Sequence, residues 1–216
     1  MITRYGYDTF LIVTAACLVV ALAIILLVEP KGIRLGLLAL PALMFLLTLN
    51  FFRDPGRNVP AGDALVLAPA DGKVIQVRES EEQEYLKSPA TLVSIFMSPL
   101  DVHVNRTPVT GRVGYYRYVR GEYFAAFADK ASEKNEQAII GMENSHGKVL
   151  FKQIAGFIAR RIVCTLKVGD SLAQGERFGM IKFGSRLDVF LPPNTAVKVR
   201  VGDRAIAGET ILGEFQ

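Results

Sequence analysis

The 216-residue chain has only two cysteines and two histidines, and this scarcity excludes several common kinds of site. Cys17 and Cys164 have no partner at metal-ligand spacing, so the sequence predicts neither a disulfide framework nor a zinc site, and both are expected to be apolar fillers. Glycine-rich phosphate-binding fingerprints are also missing. The formal net charge of +4 is too mild, and the basic residues too scattered, to indicate nucleic-acid binding.

Charge is absent from two long apolar runs near the N-terminus, residues 9–28 and 35–52. Each is close to the ~20 residues that span the hydrocarbon core of a bilayer. Only residues 29–34 separate them, so we predict a transmembrane helical hairpin over residues 1–52. The alternatives are a signal peptide, for which a small-residue cleavage site is lacking, and two buried core helices. Neither run shows a polar stripe.

The basic residues that flank the predicted helices indicate an orientation. A hairpin places both of its ends on one side of the membrane, and that side carries Arg4, Arg53 and Arg57, against Lys31 and Arg34 in the connection. The positive-inside rule therefore predicts a cell-membrane protein with residues 53–216 on the cytoplasmic side. Arg53 and Arg57 are also expected to attract anionic lipid headgroups.

From residue 53 onward the pattern is mainly β. Runs rich in β-branched and aromatic residues are separated by Gly, Pro and Asp turn signals. The predicted strands are 64–68, 73–78, 91–97, 112–119, 138–142, 149–154, 162–166, 186–191, 196–201 and 210–215, with a helix over part of 123–135.

An internal repeat accompanies these strands. The sequence Val-Gly-Asp at 168–170, followed by Gly-Glu at 175–176, recurs 33 residues later as Val-Gly-Asp at 201–203 and Gly-Glu at 208–209. We therefore predict a mainly β fold, a β-sandwich or barrel-like core with an internal pseudo-repeat and a few short helices, after the transmembrane hairpin.

A Gly-Ser pair, Gly184-Ser185, interrupts the strand-like alternation of residues 180–191. A glycine inside a strand usually marks a bulge or a close backbone approach. Here it also places an unhindered carbonyl before a hydroxyl nucleophile, the arrangement that backbone self-cleavage by an N-to-O acyl shift requires. Because most Gly-Ser pairs are turns or bulges, the interpretation depends on what could activate Ser185.

Three residues are candidates for that activation. His103 follows an apolar strand and has a polar neighbour in Asp101, although a structurally satisfied buried histidine would look the same. His146 lies in a polar run typical of a hairpin turn, where we expect it to be solvated. Asp71 precedes a glycine, which is a turn signal in its own right.

Four segments occur in the order seen in phosphatidylserine decarboxylase proenzymes, and the chain resembles the short bacterial or archaeal form of that family. These segments are Ala-Pro-Ala-Asp-Gly at 68–72, Asp-Val-His-Val-Asn-Arg-Thr-Pro at 101–108, residues 124–136, and Phe-Gly-Ser at 183–185. The resemblance covers essentially all of residues 53–216. It implies that they form a pyruvoyl-dependent decarboxylase domain.

The resemblance also implies a mechanism. The chain would cut itself between Gly184 and Ser185, giving a β chain of residues 1–184 and an α chain of residues 185–216 that remain partners. Ser185 would become a covalent pyruvoyl cofactor that forms a Schiff base with phosphatidylserine in the membrane, so that phosphatidylethanolamine and CO₂ result. Asp71 and His103 would activate Ser185, and His103 is the best placed proton donor. No metal, nucleic acid or diffusible cofactor is expected, and homo-oligomerisation is left open.

Two residues depart from the family's pattern. Arg106 stands where longer members carry a second histidine, so either His103 serves both reactions or another group takes part. Arg186 follows the serine, where a small polar residue is common.

Two other functions stay open at this point. One is a membrane-tethered carrier or adaptor of the biotinyl/lipoyl type, which the repeat favours, although its candidate Lys130 lies in the predicted helix. The other is a pyruvoyl decarboxylase of a soluble amino acid, against which the hairpin argues.

Overall fold

The computed structural model describes residues 1–121, 135–156, 161–182 and 185–216. The chain divides into two compact units, Met1–Pro55 and Gly56–Gln216. It is 42% strand and 23% helix, which confirms the predicted mainly β class. The helix predicted within residues 123–135 lies, apart from Asn135, outside the described residues, as do Gly184 and Lys130. The predicted boundary after residue 52 stays a prediction.

The first unit consists of two helices, α1 (Tyr7–Leu27) and α2 (Lys31–Phe51), after a 3₁₀ turn at Arg4–Gly6. Both are long and apolar enough to cross a membrane. None of the residues of α1 is buried, whereas a core helix of a soluble protein would bury its apolar face. This exposure favours lipid-facing helices over the core-helix alternative.

The connection between the helices is shorter than predicted. Pro30 is the N-cap of α2 with φ −64°, and α2 begins directly after it at Lys31 rather than at residue 35. The fixed φ of proline is compatible with a helix start, so a longer connecting loop is not required. Lys31 and Arg34 therefore lie in the first turn of α2.

The two ends of the hairpin meet. Ile2 and Arg53 form a β-bridge, and Thr3 N–H donates to the carbonyl oxygen of Phe52 at 2.9 Å. Phe52 packs so closely on Gly6 that a Cβ there would lie 2.1 Å from its ring. Both ends of the hairpin therefore lie on the same side, as the sequence predicted.

Fourteen strands follow in the described part of the second unit. They are β1 (Leu65–Leu67), β2 (Gly72–Glu82), β3 (Ser88–Met97), β4 (Val104–Arg106), β5 (Gly111–Val119), β6 (Gln137–Glu143), β7 (Lys148–Ala155), β8 (Arg161–Cys164), β9 (Ser171–Leu172), β10 (Arg177–Lys182), β11 (Ser185–Leu191), β12 (Thr195–Val197), β13 (Arg204–Ala205) and β14 (Ile211–Phe215).

These strands form three antiparallel sheets. The largest has the order β13-β2-β3-β11-β7-β6-β5-β9, and the two smaller ones have the orders β1-β14-β12 and β4-β10-β8. The main hydrophobic core joins residues of the large sheet, such as Ile95 and Phe151, to residues of both small sheets, such as Leu212 and Phe178. Burial of this core is the main stabilising term of the unit.

The sheets have an internal two-fold relationship. The strands β1, β2, β3, β11, β12, β13 and β14 correspond, in that order, to β4 through β10. Exchanging the two sets reverses the strand order of the large sheet and converts one small sheet into the other. The predicted pseudo-repeat is thus present, and it extends over all the described strands.

The glycines of the repeat adopt matching backbone conformations in the two copies. Gly169 and Gly202 have φ of +101° and +102°, and Gly175 and Gly208 have φ of +75° and +74°. Residues with a side chain rarely adopt these values, which explains why glycine recurs at both places. Gly169 and Gly202 each donate an N–H at 2.9 Å to a strand carbonyl, of β5 and β2 respectively.

One half of the pseudo-repeat is inserted into the other. In the second half, β6 and β7 are joined by a hairpin turn at residues 144–147. The corresponding strands of the first half, β3 and β11, are joined instead by residues 98–184, which contain the whole second half. Ser185 is the first residue of β11, so the predicted cleavage point lies where the chain returns to the first half.

Candidate active site

Ser185 begins a central strand of the large sheet. It pairs with Met97 at the end of β3 on one side and with Ala155 at the end of β7 on the other. The residue is fully buried, and its Oγ has no hydrogen-bond partner among the described residues. A buried hydroxyl without a partner costs about 1–3 kcal/mol, so such a group calls for an explanation.

His103 is fully buried in the segment that connects β3 to β4. Its Nδ1 lies 3.0 Å from the carbonyl oxygen of Asp101. Because a carbonyl can only accept, Nδ1 carries the proton in this bond, and Nε2 is left as the basic nitrogen of the neutral ring. The partner therefore fixes the tautomer that a general base requires.

The carboxylate of Asp101 holds the same segment in place. It accepts bonds from the backbone N–H and hydroxyl of Ser98 at 2.8 and 2.7 Å, and from the guanidinium of Arg204 in β13 at 2.5 Å. These charge-assisted bonds tie the His103 segment to the large sheet.

Asp71 lies directly before β2 and forms a buried ion pair that the sequence did not predict. Arg57 donates to both of its carboxylate oxygens, at 2.8 and 2.9 Å, and the backbone N–H of Ala207 donates to Oδ1 at 2.8 Å. The side chain of Arg57 is only 9% exposed, so it is not presented to lipid headgroups as predicted. Arg57 follows the two hydrophobic helices closely in the sequence and was therefore interpreted as a membrane-flanking residue. Its ion pair with Asp71 was missed for that reason.

The internal symmetry separates two roles of Asp71. Its counterpart in the second half is Thr110, whose Oγ1 accepts the backbone N–H of Gln174 at 3.0 Å, as Asp71 accepts that of Ala207. Capping this backbone turn therefore requires only an oxygen atom. The negative charge of Asp71 and its ion pair with Arg57 are not needed for this cap and go beyond what Thr110 provides.

The strand topology gathers the predicted residues at one end of three adjacent strands. Asp71 precedes the start of β2, His103 follows the end of β3, and Ser185 is the start of β11. Since neighbouring strands here are antiparallel, these three strand ends lie on the same side of the large sheet, at one end of its strands. Within the described residues, the hydrogen bonds of Asp71 go to Arg57 and Ala207 rather than to His103 or Ser185.

Arg106 is the residue that the sequence resemblance sets in place of a second histidine. It is 5% exposed, and its Nη1 donates to the carbonyl oxygen of Gly175 at 2.9 Å. A Cβ on Gly208 would lie 3.0 Å from the Cδ of Arg106, so the side chain also passes the matching glycine of the other repeat copy. The described contacts of Arg106 thus serve the junction of the two halves.

The sequence reasoning missed an amide pair on the face of the large sheet that carries Ser185. Gln153 Nε2 donates to Asn105 Oδ1 at 2.8 Å, and Asn105 in turn contacts the sulfur of Met97 at 3.8 Å. Gln153 lies two residues before Ala155, the strand partner of Ser185. Its fully buried Oε1 has no partner in the described part of the chain. A glutamine inside an apolar run is the sequence signal that could have revealed it.

Two further residues from the sequence analysis, His146 and Cys164, lie in surroundings that give them no part in the candidate site. His146 is exposed in the β6–β7 turn, as expected. Burial raises the pKa of the Cys164 thiol to about 11, so this cysteine is a neutral side chain at physiological pH.

Comparison with known proteins places these features in a family. A phosphatidylserine decarboxylase family profile matches residues 44–213. The chain is 45% identical over 215 residues, all of both chains, to a phosphatidylserine decarboxylase proenzyme of Pelodictyon phaeoclathratiforme. It is 50% identical over 171 residues to the proenzyme of Symbiobacterium thermophilum, covering 79% of this chain and 80% of that one.

The chain belongs to the phosphatidylserine decarboxylase family. The resemblance drawn from the sequence motifs is thereby confirmed. A third relative, the proenzyme of Chlorobaculum tepidum, is 44% identical over 213 residues, which cover 99% of this chain and 97% of that one, so the likeness extends through the N-terminal helices. The carrier-module alternative loses its support, since the family is one of decarboxylases.

Proposed function

We propose that this chain is the precursor of a membrane-bound phosphatidylserine decarboxylase that makes its own pyruvoyl group by cleaving itself before Ser185. The observation that carries the proposal is the fully buried Ser185 Oγ without a hydrogen-bond partner among the described residues. It stands at the start of a strand held on both sides, so its backbone is fixed relative to its surroundings. Unsatisfied buried groups of this kind are typical of catalytic sites.

The cleavage begins with attack of Ser185 Oγ on the carbonyl carbon of Gly184. The hydroxyl proton passes to a base, the peptide C–N bond breaks as the nitrogen takes up a proton, and an ester joins the two residues. Loss of the Ser185 α-proton then breaks the Cβ–O bond. The products are the Gly184 carboxylate and a dehydroalanine, which tautomerises to an imine. Water hydrolyses the imine to the ketone and ammonia.

His103 is the group we assign to the proton transfers. Its Nδ1 is held by the Asp101 carbonyl, so Nε2 can take the Ser185 proton and return it to the departing nitrogen. Asp71 adds a negative charge at the same end of the sheet, with Arg57 and the Ala207 N–H fixing its position. A carboxylate in this place would stabilise an imidazolium as it forms.

The residues around Ser185 fit a pyruvoyl group derived from it. Its strand neighbours Met97 and Ala155 are buried and apolar, and Leu187 lies on the same face of β11. Once formed, the ketone supplies an electrophile for the substrate amine and an acceptor for the electrons left when carboxylate departs. The apolar neighbours exclude water from the departing carboxylate, and His103 Nε2 holds the proton that the α-carbon finally receives.

The relatives and the N-terminal helices support the proposed substrate and location. The three relatives carry the name phosphatidylserine decarboxylase proenzyme. Two helices long and apolar enough to span a bilayer would keep the chain in the membrane that contains such a lipid. Arg4 and Arg53 flank the open end of the hairpin, and by the positive-inside rule they support a cytoplasmic location of Gly56–Gln216.

The proposal is tested with the full chain purified in detergent and returned to vesicles. Vesicles containing phosphatidylserine should yield phosphatidylethanolamine and CO₂, and EDTA should leave the rate unchanged because the electrophile comes from Ser185. Hydroxylamine, or borohydride with substrate, should abolish the activity. Equal rates with free serine or another soluble amino acid would disprove the lipid assignment, and a Ser185→Ala chain that remained active would disprove the pyruvoyl assignment.

A further inference from the structure

Arg186, the second residue after the predicted cleavage point, is the centre of a buried network that spans three strands. The side chain is fully buried on the face of β11 opposite to Ser185. Its Nε donates to Asp188 Oδ1 at 2.6 Å within β11, and its Nη2 donates to Ser94 Oγ in β3 and Gln76 Oε1 in β2, both at 2.8 Å. We call these four residues the Arg186 network.

Among the described residues of the other half, a surface ion pair stands at the corresponding place. By strand register, the pair Phe96–Arg186 in β3 and β11 corresponds to Glu143–Lys148 in β6 and β7. Lys148 is exposed and lies 3.7 Å from its surface partner Glu143. The strand that follows an intact hairpin turn is therefore held by a surface pair, whereas the strand that follows the cleavage point is held by buried charge-assisted bonds.

A cut before Ser185 would change the physical situation of β11. In the uncut chain, covalent bonds on both sides hold the strand. After the cut, Ser185 is a chain end, and chain ends fray unless other contacts tie them down. A fraying end would move the group derived from Ser185 away from His103.

We propose that Arg186 is a positioning residue that anchors the new end of the α chain to β2 and β3 after cleavage. This inference rests on the proposed self-cleavage. It adds a role for the Arg186 network that begins only after the chain is cut. The network has little effect while the chain is continuous, and it keeps the first residue of β11 in place once the chain is cut.

The test compares the double variant Arg186→Met/Asp188→Leu with the unchanged chain, each with Ser185 present and with Ser185→Ala. Replacing both charged residues avoids leaving one buried charge unpaired. The control is Lys198→Met/Glu214→Leu, which removes a surface ion pair elsewhere in the α chain. Hydrogen exchange of β11 amides is followed by mass spectrometry, and intact mass reports cleavage separately.

With Ser185 present, the double variant should still cleave, and its β11 amides should exchange at least about tenfold faster than those of the unchanged chain. In the Ser185→Ala background the two should differ by less than about twofold. The control should match the unchanged chain in both backgrounds. Trapping of substrate with borohydride should fall in the cleaved double variant.

Three results would overturn the proposal. They are equal acceleration of exchange in the cut and uncut backgrounds, no acceleration in either, and a folded double variant that does not cleave. If the double variant does not fold, Ser94→Ala/Gln76→Leu tests the cross-strand bonds by the same comparison. If the unchanged chain does not cleave, the self-cleavage proposal fails at that step, which intact mass shows directly, and the anchor falls with it.

Discussion

Arg57 donates from one guanidinium nitrogen to both carboxylate oxygens of Asp71, at 2.8 and 2.9 Å. The side chains are 9% and 14% exposed, so the pair is shielded from solvent and from screening by salt. The ion pair joins a residue just after the N-terminal helices to one of the residues assigned to activation of Ser185. It therefore ties the first residues of the second unit, Gly56–Gln216, to the candidate site within that unit.

Substituting Asp71 should have a large effect on the rate of self-cleavage and a small effect on the free energy of unfolding. Asp71→Asn keeps an oxygen for the Ala207 N–H but loses the charge, and we expect cleavage to slow by at least about tenfold, since positioned acid–base groups contribute about 10²–10⁴. Arg57→Gln should slow it less, because the carboxylate remains. Denaturing gels of timed samples measure the uncleaved precursor.

Thr110→Val is the matched control for Asp71→Asn. It removes the corresponding cap in the second half, where no charge is present, and should leave the cleavage rate within about twofold of the unchanged chain. If Thr110→Val slowed cleavage as much as Asp71→Asn does, the role of Asp71 would be structural only.

Ser185→Ala should abolish formation of the C-terminal fragment 185–216. Its hydroxyl is the proposed nucleophile, and no other group in the described residues occupies its position between Met97 and Ala155. Intact mass spectrometry of the unchanged chain should show this fragment with a carbonyl in place of its N-terminal amine. Ser145→Ala, in the exposed β6–β7 turn, is the control and should cleave normally. A fragment of this length from the Ser185→Ala chain would refute the assignment.

His103→Ala should leave the precursor uncleaved, because the Nε2 that we propose as the acceptor of the Ser185 proton is lost. His146→Ala removes the chain's other histidine from an exposed turn and should process at the normal rate. The relevant measurement is the fraction of cleaved chain over time at pH 7.5. Normal processing of His103→Ala would show that another group takes up the Ser185 proton.

Cys164 should stay unmodified by iodoacetamide at pH 8 while the protein is folded. Burial raises its pKa from 9.0 to about 11, so only about one thiol in a thousand is ionised at that pH. Because the folded pKa lies above the unfolded one, the stability gained by burying the neutral thiol is present below pH 9 and lost as the pH rises towards 11. A Cys17→Ser chain isolates the signal. Fast labelling without denaturant would contradict a raised pKa of the Cys164 thiol.

The sequence predicted the fold class and the candidate residues through patterns that act locally. The alternation of β2, β3, β5 and β11 and the two uncharged helices are features of consecutive residues. β10 was recognised as strand-like only from Met180 onward, because its first residues, Arg177–Gly179, do not continue the alternation. β4 is only three residues long and continues a segment read for its polar residues.

The contacts that organise the site could not be predicted, because they join distant parts of the chain. Arg57 was interpreted from its nearness to α2, whereas its partner Asp71 lies 14 positions away in another element. The bonds from Arg186 to Gln76 and Ser94 cross 110 and 92 positions. The repeat indicated symmetry, but only the sheet order revealed that one half is inserted into the other at the cleavage point.

The last prediction concerns the N-terminal helices. None of the residues of α1 is buried, and a lipid-facing helix tolerates few charges at its centre. Each lysine at the middle of a membrane span costs about 2.5–3.5 kcal/mol. We therefore expect Val19→Lys/Leu22→Lys to release a large part of the protein from membranes washed with alkaline carbonate, whereas the unchanged chain stays in the pellet. The control places the same charges in the second unit, at the exposed residues Val168 and Val201, and should pellet normally. Release of the unchanged chain by carbonate would show that its helices do not span the bilayer.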